Sequence, residues 1–339
     1  MILLSINLEA SFMALFTIFV FGAVILGAGG MLSPAWPTIQ PRIGLGAALS
    51  LAIIVGGAVF LTSLVGWQTL LVDYLLFGLV IGIFLGGTLA VGQKRAESKG
   101  ETLADEDQGW PGPSDLAFLG IIAVIFTAVA LMNLPQDADN LIYTVLAEQL
   151  DGQVEVLPSL RLSVPDVYPP AFVVLTAYLS RQLSQNVETV QMGAAAVLAF
   201  LNVWLIYDFG AELRNKRLGR VLAVILSIGL FWVYLNGYYL VLLGLIFTQA
   251  FFIYTLRYSR FRYPADAVAA GLMLGAVVIS NFGMIWVALL GYAGLVVMIG
   301  LVGQRPSVKT WLVLGIGVPL IALVAISPWL LDVIPLLTS

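Results

Sequence analysis

At 339 residues, 60% of them hydrophobic and only 10% charged, the chain has too little polar surface to cover a soluble domain and reads as a polytopic membrane protein. It contains neither Cys nor His, which removes disulfides, thiolate and imidazole metal sites, imidazole bases and histidine-ligated haem. The formal charge of -4 is small and says little until the charges are placed along the chain.

The first apolar run, Leu8 to Leu32, is long enough at about 1.5 Å per residue to cross a hydrocarbon core of about 30 Å. It carries Glu9 and lacks a basic leader, which predicts a retained span rather than a cleaved signal. After the Pro-rich turn Ser33 to Arg42, the runs Ile43 to Gly66 and Leu70 to Gly92 are joined through a short link at Trp67, as an antiparallel pair would be. Residues 1–92 thus form an N-terminal three-helix membrane segment. The charged stretch 93–115, QKRAESKGETLADEDQGWPGPSD, has no apolar period and reads as a cytoplasmic linker and domain boundary.

Residues 116–339 form a second membrane module. Its spans are Leu116 to Leu134, Val190 to Ala211, Leu218 to Leu235, Tyr239 to Leu256, Ala265 to Ile279, Gly283 to Val302 and Thr310 to Leu330. The expected fold class is therefore an all-α polytopic membrane protein of about ten transmembrane helices. With ten spans and the N-terminus outside, the basic groups at Arg42, Lys94 to Lys99, Arg214 to Arg220, Arg257 to Arg262 and Arg305 to Lys309 fall on one side, as the positive-inside rule requires of the cytoplasmic face. Only Arg161 and Arg181 fall opposite. Both termini and the long loop 135–188 are then extracytoplasmic.

That loop interrupts the apolar pattern and collects Asp137, Asp139, Glu148, Asp151, Glu155 and Asp166. Asp139 to Leu150 predicts an amphipathic helix with Leu141, Val145 and Ala147 or Leu146 toward lipid, and Glu148 and Asp151 toward water. Gln153 to Val167 has Pro158 and Pro165 and no sustained period, so an irregular excursion is expected. Tyr168-Pro169-Pro170 opens a second helix, Ala171 to Leu183, short for a span and expected at or dipping into the outer leaflet. Inside the spans, Asp73 is expected at the outer interface, and Asn202, Asn236 and Asn281 to cap breaks or bridge helices. Trp67, Trp110, Trp232 and Trp329 fall where an aromatic belt would lie.

Gln136-Asp137-Ala138-Asp139-Asn140, Tyr143 four residues after the second Asp, Ala147 and Leu150 before Gly152, and then Tyr168-Pro169-Pro170 with Phe172 two residues on together resemble the first outer loop of GT-C superfamily glycosyltransferases. The likeness is to the bacterial branch with protein mannosyltransferase-like and aminoarabinose-transferase-like members. Asn202 to Gly219 resembles the basic cytoplasmic turn of those enzymes, and the seven spans from Leu116 to Leu330 equal their shared module. Residues 1–92 resemble extra N-terminal helices of bacterial GT-C-like proteins.

The resemblance implies inverting transfer of a sugar from a polyprenyl-phosphate donor to an acceptor at the outer face of a prokaryotic plasma membrane. It implies Asp139 as the catalytic carboxylate, with Asp137 second, and Tyr143, Asp166, Tyr168, Arg181 and Arg161 as substrate-binding residues. A carboxylate within hydrogen-bond reach can take the acceptor hydroxyl proton while the lipid phosphate leaves. The chain departs from the pattern at Asn140, where many relatives carry an acid, and at Tyr168, where a Lys would contact the donor phosphate. No resident cofactor or metal ligand set is implied, although the acidic loop leaves room for a divalent cation. Expected partners are the lipid-linked sugar donor, membrane lipids and other membrane proteins; nothing points to nucleic acid. Asp137 and Asp139 equally suit the start of a helix, where acids meet the dipole, and Arg181 suits snorkelling to headgroups. A non-catalytic GT-C-like scaffold or lipid-binding subunit is the competing reading.

Overall fold

The computed structural model describes residues 43–74, 113–132, 138–152, 168–301 and 307–337, and every regular element among them is helical. In chain order these are α1 (Ile43–Val65), α2 (Pro113–Met132), α3 (Ala138–Gly152), α4 (Pro170–Leu183), α5 (Val187–Leu213), α6 (Lys216–Gly229), α7 (Phe231–Asn236), α8 (Tyr239–Phe261), α9 (Pro264–Ser280), α10 (Phe282–Leu301), α11 (Val308–Leu312) and α12 (Val318–Leu337), with a π-helical turn at Val313–Gly317 between the last two. Among the described residues, six segments are long and apolar enough to cross a membrane: Gly44–Val65, Pro113–Ala130, Val187–Leu213, Tyr239–Phe261, Phe282–Gly300 and Val308–Ile334. The chain is an integral membrane protein. The expected first span, the third beyond residue 74 and most of the linker 93–115 lie outside the described residues.

Two expected spans take other forms. Leu218 to Leu235 is broken at Leu230 into α6 and α7, and α7 closes on Gly237 at φ 66°, a left-handed position that favours glycine. Ala265 to Ile279 is the 17-residue α9, started by Pro264 and ended at Asn281. Asn281 then accepts the Met284 amide at 3.2 Å and so caps α10.

Helices α1, α4, α5, α8 and α9 surround the core, which contains Phe172, Leu175, Leu198, Leu201, Phe247 and Met273 at 2% exposure or less. Lipid chains are as apolar as these side chains, so close packing and polar ties must hold the helices together. Small residues supply the packing. A Cβ on Gly210 of α5 would stand 2.7 Å from Gly219 Cα of α6, so these helices touch backbone to backbone. Gly271 and Gly275, four apart on α9, lie against Val318, Ile321, Ala322 and Ile326 of α12. Residue numbers rise together along that contact, so α9 and α12 run parallel. Asn202 supplies the polar tie: its Nδ2 donates to Leu198 O at 2.9 Å and to Leu242 O of α8 at 3.0 Å, while its Oδ1 accepts Gln249 Nε2 at 3.1 Å.

Apolar side chains of α2, α6, α10 and α12, including Ile121, Ile225, Leu290 and Leu331, face outward as a lipid-contacting surface requires. Of the described tryptophans expected at membrane boundaries, Trp232 is exposed, but Trp67 and Trp329 are buried. Trp329 stacks on Phe282, so these two serve packing rather than a belt.

The basic turns share one end of the bundle. Arg260, in the last turn of α8, donates to Glu212 O at 2.6 Å and Leu213 O at 3.1 Å, covering the C-terminal carbonyls of α5 where a cation is favoured. Arg220 of α6 pairs with Asp115 of α2. The parallel course of α9 and α12 brings Lys309 to the same end.

Candidate functional site

The opposite end carries the acidic loop. Helix α3 has a buried face of Tyr143, Leu146, Ala147 and Leu150 and an exposed face that includes Val145 and Glu148. Its spacing is amphipathic as expected, but the apolar face meets protein: Leu146 and Ala147 are fully buried, whereas the sequence suggested one of them toward lipid. The reason is α4, which packs along α3 and is itself buried from Pro170 to Ser180. Such burial on every side explains why α4 is apolar at almost every position and has no clean polar stripe.

Helix α4 links two parts of this end. Near its start, Phe172 lies 5.4 Å from Tyr239, the first residue of α8, and near its finish Tyr178 and Gln182 both donate to Asp73 Oδ1, at 2.8 and 2.6 Å. Asp73 thus ties the end of α4 to the segment that follows α1. Burial first, and the Asp73 carboxylate second, push the Tyr178 hydroxyl above the ordinary tyrosine range. The helix ends on Ser184 at φ 50°, and Asn186 caps α5 by accepting the Thr189 amide at 3.0 Å.

Of the residues expected to act, Asp139 lies in the first turn of α3, where an acid also meets the helix dipole; its side chain is outside the described residues. Asp137, Arg161 and Asp166 also lie outside them. Tyr143 and Tyr168 are brought together, with ring centroids 5.9 Å apart and planes at 89°, and Tyr143 meets Phe172 edge-on at 6.5 Å. These edge-to-face contacts suit aromatic quadrupoles. They hold the first turns of α3 beside the start of α4, which has Pro169 at its N-cap and no side-chain cap. Arg181 is exposed in the last turn of α4, at the other end from Tyr168.

Sequence reasoning missed two polar features. On the α3–α5 contact, Thr144 Oγ1 donates to Gln191 Oε1 at 2.8 Å, and both residues are buried. Gln191 stands directly before the apolar run Met192 to Leu201 of α5, a signal that could have marked it. At the basic end, Arg257 of α8 lies 3.4 Å from Asp266 of α9 and 4.0 Å from Glu212 of α5, all at most 4% exposed. Acids and a cation at three helix ends are ordinary in sequence; only packing makes them a buried cluster. Among the described residues, no group of three or more acidic side chains is arranged to hold a metal ion.

Comparison with family models, curated proteins and solved structures finds no match. The site therefore stands on its own geometry: an acid-bearing helix start clamped by aromatic rings to a buried, uncapped one.

Proposed function

We propose that the chain is a GT-C-like membrane glycosyltransferase that performs inverting sugar transfer from a polyprenyl-phosphate donor to an acceptor at the extracytoplasmic face. In this reading the molecule has ten spans, both termini outside, and a seven-helix GT-C module from residue 116 onward. Asp139 takes the acceptor proton, with Asp137 second, and Tyr143 and Tyr168 shape the donor site. The supporting observation is the clamp of Tyr143 on Tyr168 and Phe172. It holds the first turns of α3, the helix on which Asp139 lies, beside the start of α4, where the dipole is positive and favours a phosphate; in this reading the base works at that junction. Asp139→Asn in the full-length protein should abolish sugar transfer from a polyprenyl donor while leaving thermal unfolding unchanged. Unchanged transfer would remove Asp139 from the mechanism.

One observation favours a second reading. The aromatic rings that clamp α3 also fill its contact with α4, and α4 is buried along most of its length. A GT-C-like scaffold or lipid-binding subunit of a larger membrane complex needs only that packing. Co-purification of a stoichiometric partner in mild detergent, together with absence of transfer by the wild type, would select this reading.

A further inference from the structure

The turn between α8 and α9 holds an arginine in a backbone conformation that usually goes to glycine. Arg262 closes α8 at φ 59°, its N–H donating to Tyr258 O at 2.9 Å. A residue with a Cβ is strained in this left-handed region, and glycine would make the same turn without that cost. The turn therefore does not account for Arg262; its side chain does. The neighbours brace it from both sides. Phe261 and Tyr263 stack with centroids 5.7 Å apart and planes at 8°, and the buried Arg257 lies 5.8 Å over the Phe261 ring. Arg262 itself is exposed.

Other arginines meet this turn. Arg260, two residues before Arg262, donates to Glu212 O at 2.6 Å and Leu213 O at 3.1 Å, so the backbone of Arg214, bonded to that Leu213 carbonyl, adjoins the Arg260 guanidinium. Arg217 lies three residues beyond Arg214, no more than about 11 Å along the chain, and the contact of Gly210 with Gly219 holds the α5–α6 turn shut. The described acids at this end do not offset these charges. Asp115, Glu212 and Asp266 are buried and paired with Arg220, Arg260 and Arg257, and Asp208 is buried too. Among the described residues, no hydrogen bond or ion pair engages the side chain of Arg214, Arg217 or Arg262, all three exposed. Positive residues at a helix end follow from membrane topology alone. A strained arginine braced by rings does not.

Helix α6 shows which anion suits the corner. Val221, Ile225 and Ile228 are exposed and follow Arg217 at helical spacing, so the cation heads an open apolar stripe that runs away from the basic end. A phosphate group attached to an acyl chain matches both halves of that surface; a soluble acidic partner would match only the first. We propose that the α5–α6 and α8–α9 turns form a binding site for one anionic phospholipid, with Arg214, Arg217 and Arg262 on its phosphate oxygens and an acyl chain along α6. The guanidinium fork fits phosphate oxygens, and basic corners between helix ends are where such headgroups are held. The site lies at the opposite end from the acidic loop and does not depend on sugar transfer there.

The test is lipid retention by the full-length protein in mild detergent, read by native mass spectrometry with phosphatidylglycerol and phosphatidylcholine of identical chains. Wild type should retain one phosphatidylglycerol in preference. Arg262→Gly should weaken that retention about fivefold while the melting temperature stays equal or rises, because the strain is relieved. Arg262→Lys, which keeps the charge, should lose less than Arg262→Gly. Arg214→Gln/Arg217→Gln should weaken retention about tenfold or more, with phosphatidylcholine unaffected in every variant. No preference in the wild type, or one that Arg262→Gly and the double variant both keep, overturns the proposal. Displacement of the lipid by equimolar glycerol phosphate or oligoglutamate also overturns it, since the apolar stripe would then contribute nothing and the corner would belong to a soluble anion or an acidic protein.

Discussion

The guanidinium of Arg257 on α8 lies 3.4 Å from the carboxylate of Asp266 on α9, with Asp266 at 0% and Arg257 at 4% exposure. Together with Glu212 of α5, this contact pins three helix ends. Removing one member of a buried pair leaves an uncompensated charge and costs about 3–5 kcal/mol, whereas apolar replacement of both is often close to neutral. Arg257→Met should therefore lower the unfolding midpoint in detergent strongly, and more than Asp266→Asn, because it takes this cation from the fully buried Asp266, whereas Asp266→Asn leaves Arg257 beside Glu212, which Arg260 also approaches at 3.3 Å. Arg257→Met/Asp266→Leu should recover part of the loss.

Glycine substitutions should separate by what faces them. A Cβ on Gly271 would stand 2.6 Å from Ile321 Cβ and 3.0 Å from Val318 O, neither of which can swing away. Gly271→Ala should cost about 1–3 kcal/mol, the usual cost of overpacking. Gly275→Ala meets nothing closer than Ala322 O at 3.2 Å and should cost less. Gly294 has nothing within 4 Å, so Gly294→Ala should be neutral or slightly stabilising through lower backbone entropy in the unfolded chain. Heat-induced aggregation in detergent ranks the three.

Tyr178 should report the docking of α4. Tyr178→Phe removes a hydrogen bond to the half-exposed Asp73 carboxylate and should cost about 1 kcal/mol, visible as faster hydrogen exchange in α4. The pH dependence has a definite sign. A tyrosine whose folded pKa is raised stabilises the fold fully below its unfolded value, about 10, and loses that contribution as pH climbs toward the folded value. The difference between wild type and variant should be flat from about pH 6 to 9 and shrink only at more alkaline pH.

The absence of cysteine makes topology directly measurable. Single substitutions Gln185→Cys, in the exposed turn between α4 and α5, and Arg217→Cys, exposed at the start of α6, should react oppositely with a membrane-impermeant thiol reagent in intact cells. Gln185→Cys should label at once and Arg217→Cys only after permeabilisation. Labelling in the reverse order would turn the acidic loop toward the cytoplasm and end the glycosyl-transfer reading.

The π turn offers a local test. Tyr292 of α10 donates to Leu314 O within Val313–Gly317 at 2.7 Å, satisfying a carbonyl where the regular helical ladder is interrupted. Tyr292→Phe should destabilise by about 1 kcal/mol and increase exchange of the amides between α11 and α12.

Most of the helices were legible because apolar run length is a direct consequence of bilayer thickness, and the start at Pro170 follows from proline fitting the first helical turn. Pro113 and Pro264 open α2 and α9 in the same way, shortly before the Leu116 and Ala265 starts read from the apolar runs, so Pro113 to Asp115 belong to α2 rather than to the linker. The break at Leu230 was not legible, since no Pro or charge marks it and Gly229 alone does not dictate it. For the candidate site, Tyr143 and Tyr168 were named only through the resemblance to GT-C loops, and their edge-on contact could not be read from the sequence at all.

The sequence by itself determined that the chain is helical and membrane-embedded, where its amphipathic loop helix lies, and which turns are basic, because these depend on composition, local periodicity and nearby caps. Only the tertiary structure decided that α4 is buried on all sides, that Asp73 answers Tyr178, that Gln191 is held by Thr144, and that Arg257 is sealed against Asp266. Those pairings join residues on different helices, and burial, which sets the cost of each polar group, is a property of the packed bundle rather than of any one segment.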